Sequence, residues 1–284
     1  MKQLSKSAMR RARMYEAMPL LKEAVEHCTA HFGHAPTKDD LWSITGGLSN
    51  PSKMPGKGWG TSAMRCQRGK VMSGINGTTC AGFDPNVPVG AKLKPTDNPK
   101  NGCYAQDGKY IMPNVIECHA RRIEAFYADT DLWISAMAML VSGVYHVNAK
   151  PSRYFRFLDS GDLESPEMLA AFAALAMICT KTKFWVPTRQ YNHVVKYHAM
   201  GGVIPANMVV RISCDMHDAL PPKRVLRDGV CASNVLREMT DAELAAAGGY
   251  ACPATQKGKP STCLGNKCLS CFSREVPLVG YHNH

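Results

Sequence analysis

No apolar run in this chain is fit to cross a bilayer. The longest, around residues 170–179, is far shorter than the roughly 18 to 20 residues a spanning helix needs. The basic N-terminus is not followed by an apolar segment, so the pattern of a secretory signal is missing. These absences exclude a membrane partner and predict a cytoplasmic location. Acidic residues are in deficit: 23 Asp and Glu stand against 34 Lys and Arg, a formal net charge of +11 over 284 residues. That balance favours anionic partners, namely nucleic acid, nucleotides or phosphorylated substrates, with a merely basic surface as the alternative. Cysteine is not scarce. Twelve thiols in a reducing compartment point to metal ligands plus a few buried packing residues rather than to disulfides.

Regular periodicity is also missing over a long stretch. Residues 1–30 read as a helix, with Met9, Met14, Met18, Leu21 and Val25 at helical spacing and Lys2, Lys6, Arg10, Arg11 and Arg13 crowded at its front. Thr37 looks like an N-cap followed by Asp39 and Asp40. From residue 46 to 102, however, the chain is dense in Gly, Pro, Asn, Lys and Thr, and from residue 61 on it shows no apolar period. Such a loop inside a folded domain needs a reason, and its three cysteines supply one, because a metal would fold it.

Beyond residue 103 helices and strands alternate. Helices are expected at residues 113–127 and 131–144, strands at 154–158, 184–186, 208–212 and 229–235, and further helices at 166–179, 192–200 and 240–247. The alternation implies βαβ units and a parallel sheet. Roughly four or five strands are too few for an eight-stranded barrel. The expected fold is therefore α/β, a partial (βα) barrel, with an open doubly wound sheet as the alternative. Three regions are expected: a helical segment (1–45), an α/β partial-barrel domain carrying the cysteine loop (46–248) and a small four-cysteine metal module (249–284).

The strands end in polar residues. Asp159-Ser160-Gly161-Asp162 closes the first, Thr188-Arg189 the second and Ser213-Cys214-Asp215 the third. Ligands of parallel α/β folds bind at carboxyl strand ends. Asp159, Asp162, Arg189 and Asp215 are thus candidate catalytic residues, and Ser160, Gly161, Thr188 and Ser213 candidate cofactor contacts. Helix capping by Asp and Ser is the bland alternative, and it explains Arg189 less well.

Cys252, Cys263, Cys268 and Cys271 have ten, four and two residues between them. The final CxxC lets two thiolates grip one ion, and the four suit tetrahedral Zn²⁺ or an iron–sulfur cluster. His282 or His284 is a possible substitute ligand. Cys66, Cys80 and Cys103 are separated by thirteen and twenty-two residues. Three thiolates on a cube-shaped cluster would leave one iron open to a ligand.

Ser52-Lys53-Met54-Pro55, the region of Cys66 and Cys80, Cys103-Tyr104-Ala105 with Gly108 and Tyr110, Arg156 to Leu163, and the closing Cys252-Pro253-Ala254-Thr255-Gln256 with Cys263, Cys268 and Cys271-Phe272 resemble the gene product 88 family of phage proteins. In that family the second and third cysteines stand close together, whereas here about twenty residues are inserted between Cys80 and Cys103. The pattern in turn looks like the radical S-adenosylmethionine superfamily. There a three-cysteine loop follows the first strand of a partial barrel, and a glycine-acid motif ends the second, where Ser160-Gly161-Asp162 stands. The resemblance implies a [4Fe-4S] cluster whose open iron binds S-adenosylmethionine, an external electron donor, and an auxiliary cluster at the C-terminal cysteines. The tight CxxxCxxC spacing of that superfamily is absent. Two other expectations stay open. One is a zinc-containing base-exchange enzyme similar to the tRNA-guanine transglycosylases, with Asp159, Asp162 and Asp215 as nucleophile and base-recognition groups. The other is a non-catalytic basic zinc protein that binds nucleic acid or a host factor.

Overall fold

Seven strands, all parallel, form one open sheet in the order β1-β2-β3-β4-β5-β7-β6. They are β1 Lys57–Trp59, β2 Tyr154–Phe157, β3 Lys183–Thr188, β4 Met208–Ser213, β5 Val230–Leu236, β6 Gly249–Ala251 and β7 Leu278–His282. The computed structural model describes residues 15, 18–88, 103–222 and 225–282. Lys2, Lys6, Met9, Arg10, Arg11, Arg13, Met14 and His284 lie outside these. The described helices are α1 Pro19–Phe32, α2 Lys38–Thr45, α3 Gln67–Met72, α4 Pro113–Ala128, α5 Thr130–Ser142, α6 Pro166–Ile178, α7 Tyr191–Ala199 and α8 Asp241–Ala246. Among the described residues no helix is long and apolar enough to cross a membrane.

The four strands expected from alternation are β2 to β5. Three others escape a pattern reading. β1 and β6 are three residues long, and each contains glycine, too short for a period of two to show. β7, Leu-Val-Gly-Tyr-His, slots between β5 and β6. Residues 249–282 therefore supply two strands to the common sheet.

One sheet face is apolar and covered by helices. Phe155, Phe157, Phe184, Val186, Met208, Val210 and Ile212 join a buried cluster with α5 and α6. Phe157 stacks on Phe172 at 3.9 Å, and Trp59 meets Trp133 edge-on at 5.2 Å. Full burial of each such side chain contributes roughly 1.5–3 kcal/mol. Helix starts follow their caps. The Thr37 hydroxyl accepts from Asp40 N while Asp40 accepts from Thr37 N, and Ser165 Oγ accepts from Met168 N at 3.1 Å just ahead of Pro166.

The second face carries the intervening residues of the same strands. Tyr154, Trp185, Val279 and Tyr281 pack there with Cys252, Cys271 and Phe272. The C-terminal cysteine segment thus covers this face of the sheet.

Candidate functional site

The candidate site is assembled where the ends of β1 and β2 meet. Leu158, directly after β2, has φ 53°, a left-handed conformation costing a branched residue on the order of 1 kcal/mol. It turns the chain into Asp159-Ser160-Gly161-Asp162. Thr61 N, just beyond β1, donates to Ser160 O at 3.0 Å. Gly161 has φ 78°, and a Cβ there would fall 2.1 Å from Thr61 Oγ1. A Cβ on Gly60 would fall 2.3 Å from Asp159 Oδ1. Only glycine lets these two strand ends approach so closely.

The predicted polar residues gather here in two roles. Asp162 is tied down: its carboxylate accepts from Thr188 Oγ1 at 2.5 Å, Arg189 N at 3.0 Å and Leu163 N at 2.8 Å. Burial pushes its pKa up against those hydrogen bonds. It joins the ends of β2 and β3. Asp215 is likewise engaged, by Arg68 Nε at 3.1 Å, by Arg68 Nη2 and by Tyr191 Oη at 2.9 Å, which fastens α3 to the end of β4. Ser213 Oγ lies 3.2 Å from Ser233 Oγ. By contrast, Thr61 Oγ1, Asp159 Oδ1 and Ser160 Oγ are buried and have no hydrogen-bond partner among the described residues. Unsatisfied buried oxygens cost free energy and are rare in folded proteins. Three lie together at the ends of β1 and β2. Tyr104 and Tyr110 donate to the Asp159 carbonyl at 3.3 and 3.0 Å. Arg189 Nε donates to Thr79 Oγ1 at 3.0 Å.

The front cysteines border this place. Cys66 caps α3, its Sγ accepting from Gly69 N at 3.2 Å. Cys66, Cys80 and Cys103 pack together around Met72 and Phe83. Thr79 N donates to Asp215 O at 2.7 Å, pinning the Cys80 segment to the end of β4. Residues 89–102, inserted between Cys80 and Cys103, lie outside the described residues. Their neck is closed by Asp84 and Gln106, with Asp84 N donating to Gln106 Oε1 at 3.0 Å and Gln106 Nε2 donating to Asp84 O at 2.9 Å. Insertion and proximity are therefore compatible. Asp162 lies within electrostatic reach of Cys66, and Arg189 within reach of Cys80 and Cys103. Burial pushes the Cys66 thiol up to about 12 and that of Cys103 to about 11, so each stays protonated at neutral pH without a cation.

The rear cysteines form a second neighbourhood. Cys252 N donates to Gly280 O at 2.8 Å, Cys263 N to Lys53 O at 3.0 Å and Cys268 N to Cys263 O at 2.9 Å. Cys271 Sγ lies 3.1 Å from Tyr281 Oη. Cys252 lies within electrostatic reach of the other three, and burial pushes it up to about 12 and Cys263 to about 11. His282 Nε2 faces Asp241 Oδ1 at 2.9 Å. Among the described residues no three His, Cys, Asp or Glu side chains converge closely enough to hold one metal ion, and no cysteine there is in a disulfide.

Several contributors escaped the sequence reading. Arg211, fully buried in β4, donates to the carbonyls of Cys271, Ala232, Ser270, Ser273 and Val276 and so holds the rear segment on the sheet. Arg156 lies in β2 between Phe155 and Phe157. An arginine alternating with buried aromatics was a legible sign that the second face differs from the first. Arg68 had no such sign, because its partner is 147 residues away.

No curated protein and no solved structure matches this chain. A family model described as gene product 88 matches residues 36–275. That span holds β1 to β6, the strand-end residues and all seven candidate metal-binding cysteines, and on it the chain belongs to the gene product 88 family.

Proposed function

We propose that the protein is an iron–sulfur enzyme of the radical S-adenosylmethionine type, acting on an anionic substrate. The observation that carries this is the pairing of Cys66, Cys80 and Cys103 in one cluster with three oxygens that have no partner among the described residues, Thr61 Oγ1, Asp159 Oδ1 and Ser160 Oγ, at the ends of β1 and β2. The consecutive order of β1 to β5 supports reading the sheet as a partial barrel, in which carboxyl strand ends are where ligands bind.

The donor set fits a [4Fe-4S] cluster. Each thiolate on such a cluster bonds a separate iron, so the sulfurs need not converge on one ion as zinc would require. Cys66, Cys80 and Cys103 would hold it, and one iron would stay open. When bound, the cluster supplies one-electron reduction of S-adenosylmethionine. The chain's own residues do the positioning. The hydroxyls of Thr61 and Ser160 and the carboxylate of Asp159 offer hydrogen bonds to a polar ligand. Gly161 lets that ligand approach the backbone. Arg189 places positive charge beside Cys80 and Cys103, which favours the Cys103 thiolate. Asp162 and Asp215 act as positioning residues that lock the strand ends and α3. The rear cysteines would hold a second centre, iron–sulfur or zinc, and reduction of the front cluster would need an external electron donor.

The test is cleavage chemistry. Anaerobically prepared protein, reduced with dithionite in the presence of S-adenosylmethionine, is expected to form 5′-deoxyadenosine and methionine, and Cys66→Ala to abolish this. An iron-loaded wild-type protein that leaves S-adenosylmethionine intact contradicts the proposal. Zinc without iron favours a zinc-containing base-exchange enzyme or a nucleic-acid-binding protein.

A further inference from the structure

Two arginines on the second face of the sheet stand in opposite conditions. Arg211 spreads its guanidinium over five backbone carbonyls, one from Nε, one from Nη1 and three gathered around Nη2, so that every nitrogen of the group has an acceptor. Arg156, two strands away in β2 and half-buried, has a single hydrogen-bond contact among the described residues. That contact is weak, from Nη1 to Met54 Sδ at 3.9 Å. Its Nε is buried without a partner. Among the described residues it forms no ion pair. Below it lies Trp185, whose ring centroid is 4.5 Å from Cζ and whose own Nε1 is buried with no partner among the described residues.

A half-buried guanidinium whose Nε is shut off from water, with one thioether contact among the described residues, is costly unless an anion completes it. The stacked indole fixes its plane and leaves its edge for recognition. Its electrostatic neighbours include Tyr104, Asp159, Tyr110 and Tyr281, and Cys263 and Cys271 of the rear group. Tyr104 is 60% exposed and also lies within reach of Arg189. Arg156 therefore stands beside the strand-end site.

We infer that Arg156 is a binding residue for an anionic oxygen group, phosphate or carboxylate, of a ligand bound next to the strand-end site. Planar guanidinium recognises either group through paired N–H···O bonds. Trp185 and Met54 line the guanidinium, and Tyr104, whose hydroxyl donates to the Asp159 carbonyl, lies within electrostatic reach. The inference rests on the proposed function only in calling that ligand the substrate. The anion site itself holds whether or not iron is present.

The experiment is titration of the full-length protein, as purified, with inorganic phosphate and separately with succinate. Ionic strength is held constant with potassium chloride, and tryptophan fluorescence is followed because Trp185 lies under the guanidinium. The expected result is a saturable change with at least one anion, lost as signal in Trp185→Phe. Arg156→Met weakens binding on the order of tenfold or more, and Arg156→Lys, which keeps the charge without the fork, falls between. Phosphate preference identifies a phosphorylated or nucleotide ligand, and succinate preference an amino-acid or peptide carboxylate. Should Arg156→Met fail to fold, Arg156→Lys carries the comparison. No saturable change with either anion in the wild type, as expected if Arg156 served only the rear thiolates, overturns the inference. Equal affinity of wild type and Arg156→Lys or Arg156→Met also overturns it. Iron and S-adenosylmethionine cleavage are scored separately, so failure of one conclusion leaves the other standing.

Discussion

Gly161 and Asp215 define the two kinds of residue at the strand ends. Gly161 holds a left-handed φ of 78° with Thr61 Oγ1 in the space of a Cβ. Gly161→Ala is expected to cost about 3 kcal/mol or more, from φ and overlap together, read as a lowered urea midpoint. Asp215 takes three hydrogen bonds from Arg68 and Tyr191. Asp215→Asn is therefore expected to destabilise by about 2–3 kcal/mol and to loosen α3. A nucleophile would behave differently, losing turnover without losing stability. His119 gives a pH signature. Burial, and then the charge of Arg122, hold its pKa down to about 4 from the ordinary 6.5. The unfolded chain thus takes up a proton that the fold refuses, and stability falls as pH drops from about 6.5 toward about 4. Denaturant midpoints measured across that window should show the fall in wild type and a shallower one in His119→Asn. Asp159 and Ser160 were legible as strand-end residues because they follow β2. Their lack of partners was not, since hydrogen bonding is settled by residues far away in sequence.

Among elements, legibility followed length and period. The strand Met208–Ser213 and the helix Pro166–Ile178 are long enough for alternation, caps and apolar content to agree. β1, a Lys-Gly-Trp tripeptide, has no period, and its pairing with Phe155 to Phe157 joins segments nearly a hundred residues apart. α3 lies in a loop whose composition reads as structureless and is helical through its Cys66 cap and its contact with Phe83. The C-terminal segment looked like an attached module. Arg211 makes it part of the sheet's second face, a role that a lone arginine in an apolar run does not announce. Arg211→Met strands five carbonyls and is expected to cost about 3 kcal/mol or more. Limited proteolysis should then cut first within residues 252–276, while β2 to β4 stay resistant. Simultaneous loss of the whole fold would mean that the segment is not separately docked.

At the scale of the molecule, two cysteine neighbourhoods lie against one parallel sheet, the front at its strand ends and the rear on its second face, with Arg156 within electrostatic reach of Cys263 in the rear group. Burial raises the thiols of Cys66, Cys103, Cys252 and Cys263 to about 11 or 12 from 9.0. Without metal the unfolded chain releases protons above about pH 9 that the fold retains, so stability should fall as pH rises past that point. With metal the thiols are already deprotonated, and the alkaline loss should shrink. Thermal melts at pH 8 and pH 10, before and after chelation, check this.

The most direct measurement is iron, sulfide and zinc content, with an absorbance spectrum, on anaerobically purified wild type and on the Cys66→Ser, Cys80→Ser, Cys103→Ser triple variant. The account predicts iron and sulfide near four or eight per chain, with a broad band near 400 nm. It also predicts that the triple variant loses about four of each while the rear centre keeps its metal. Zinc alone in the wild type, or iron unchanged in the triple variant, would contradict it.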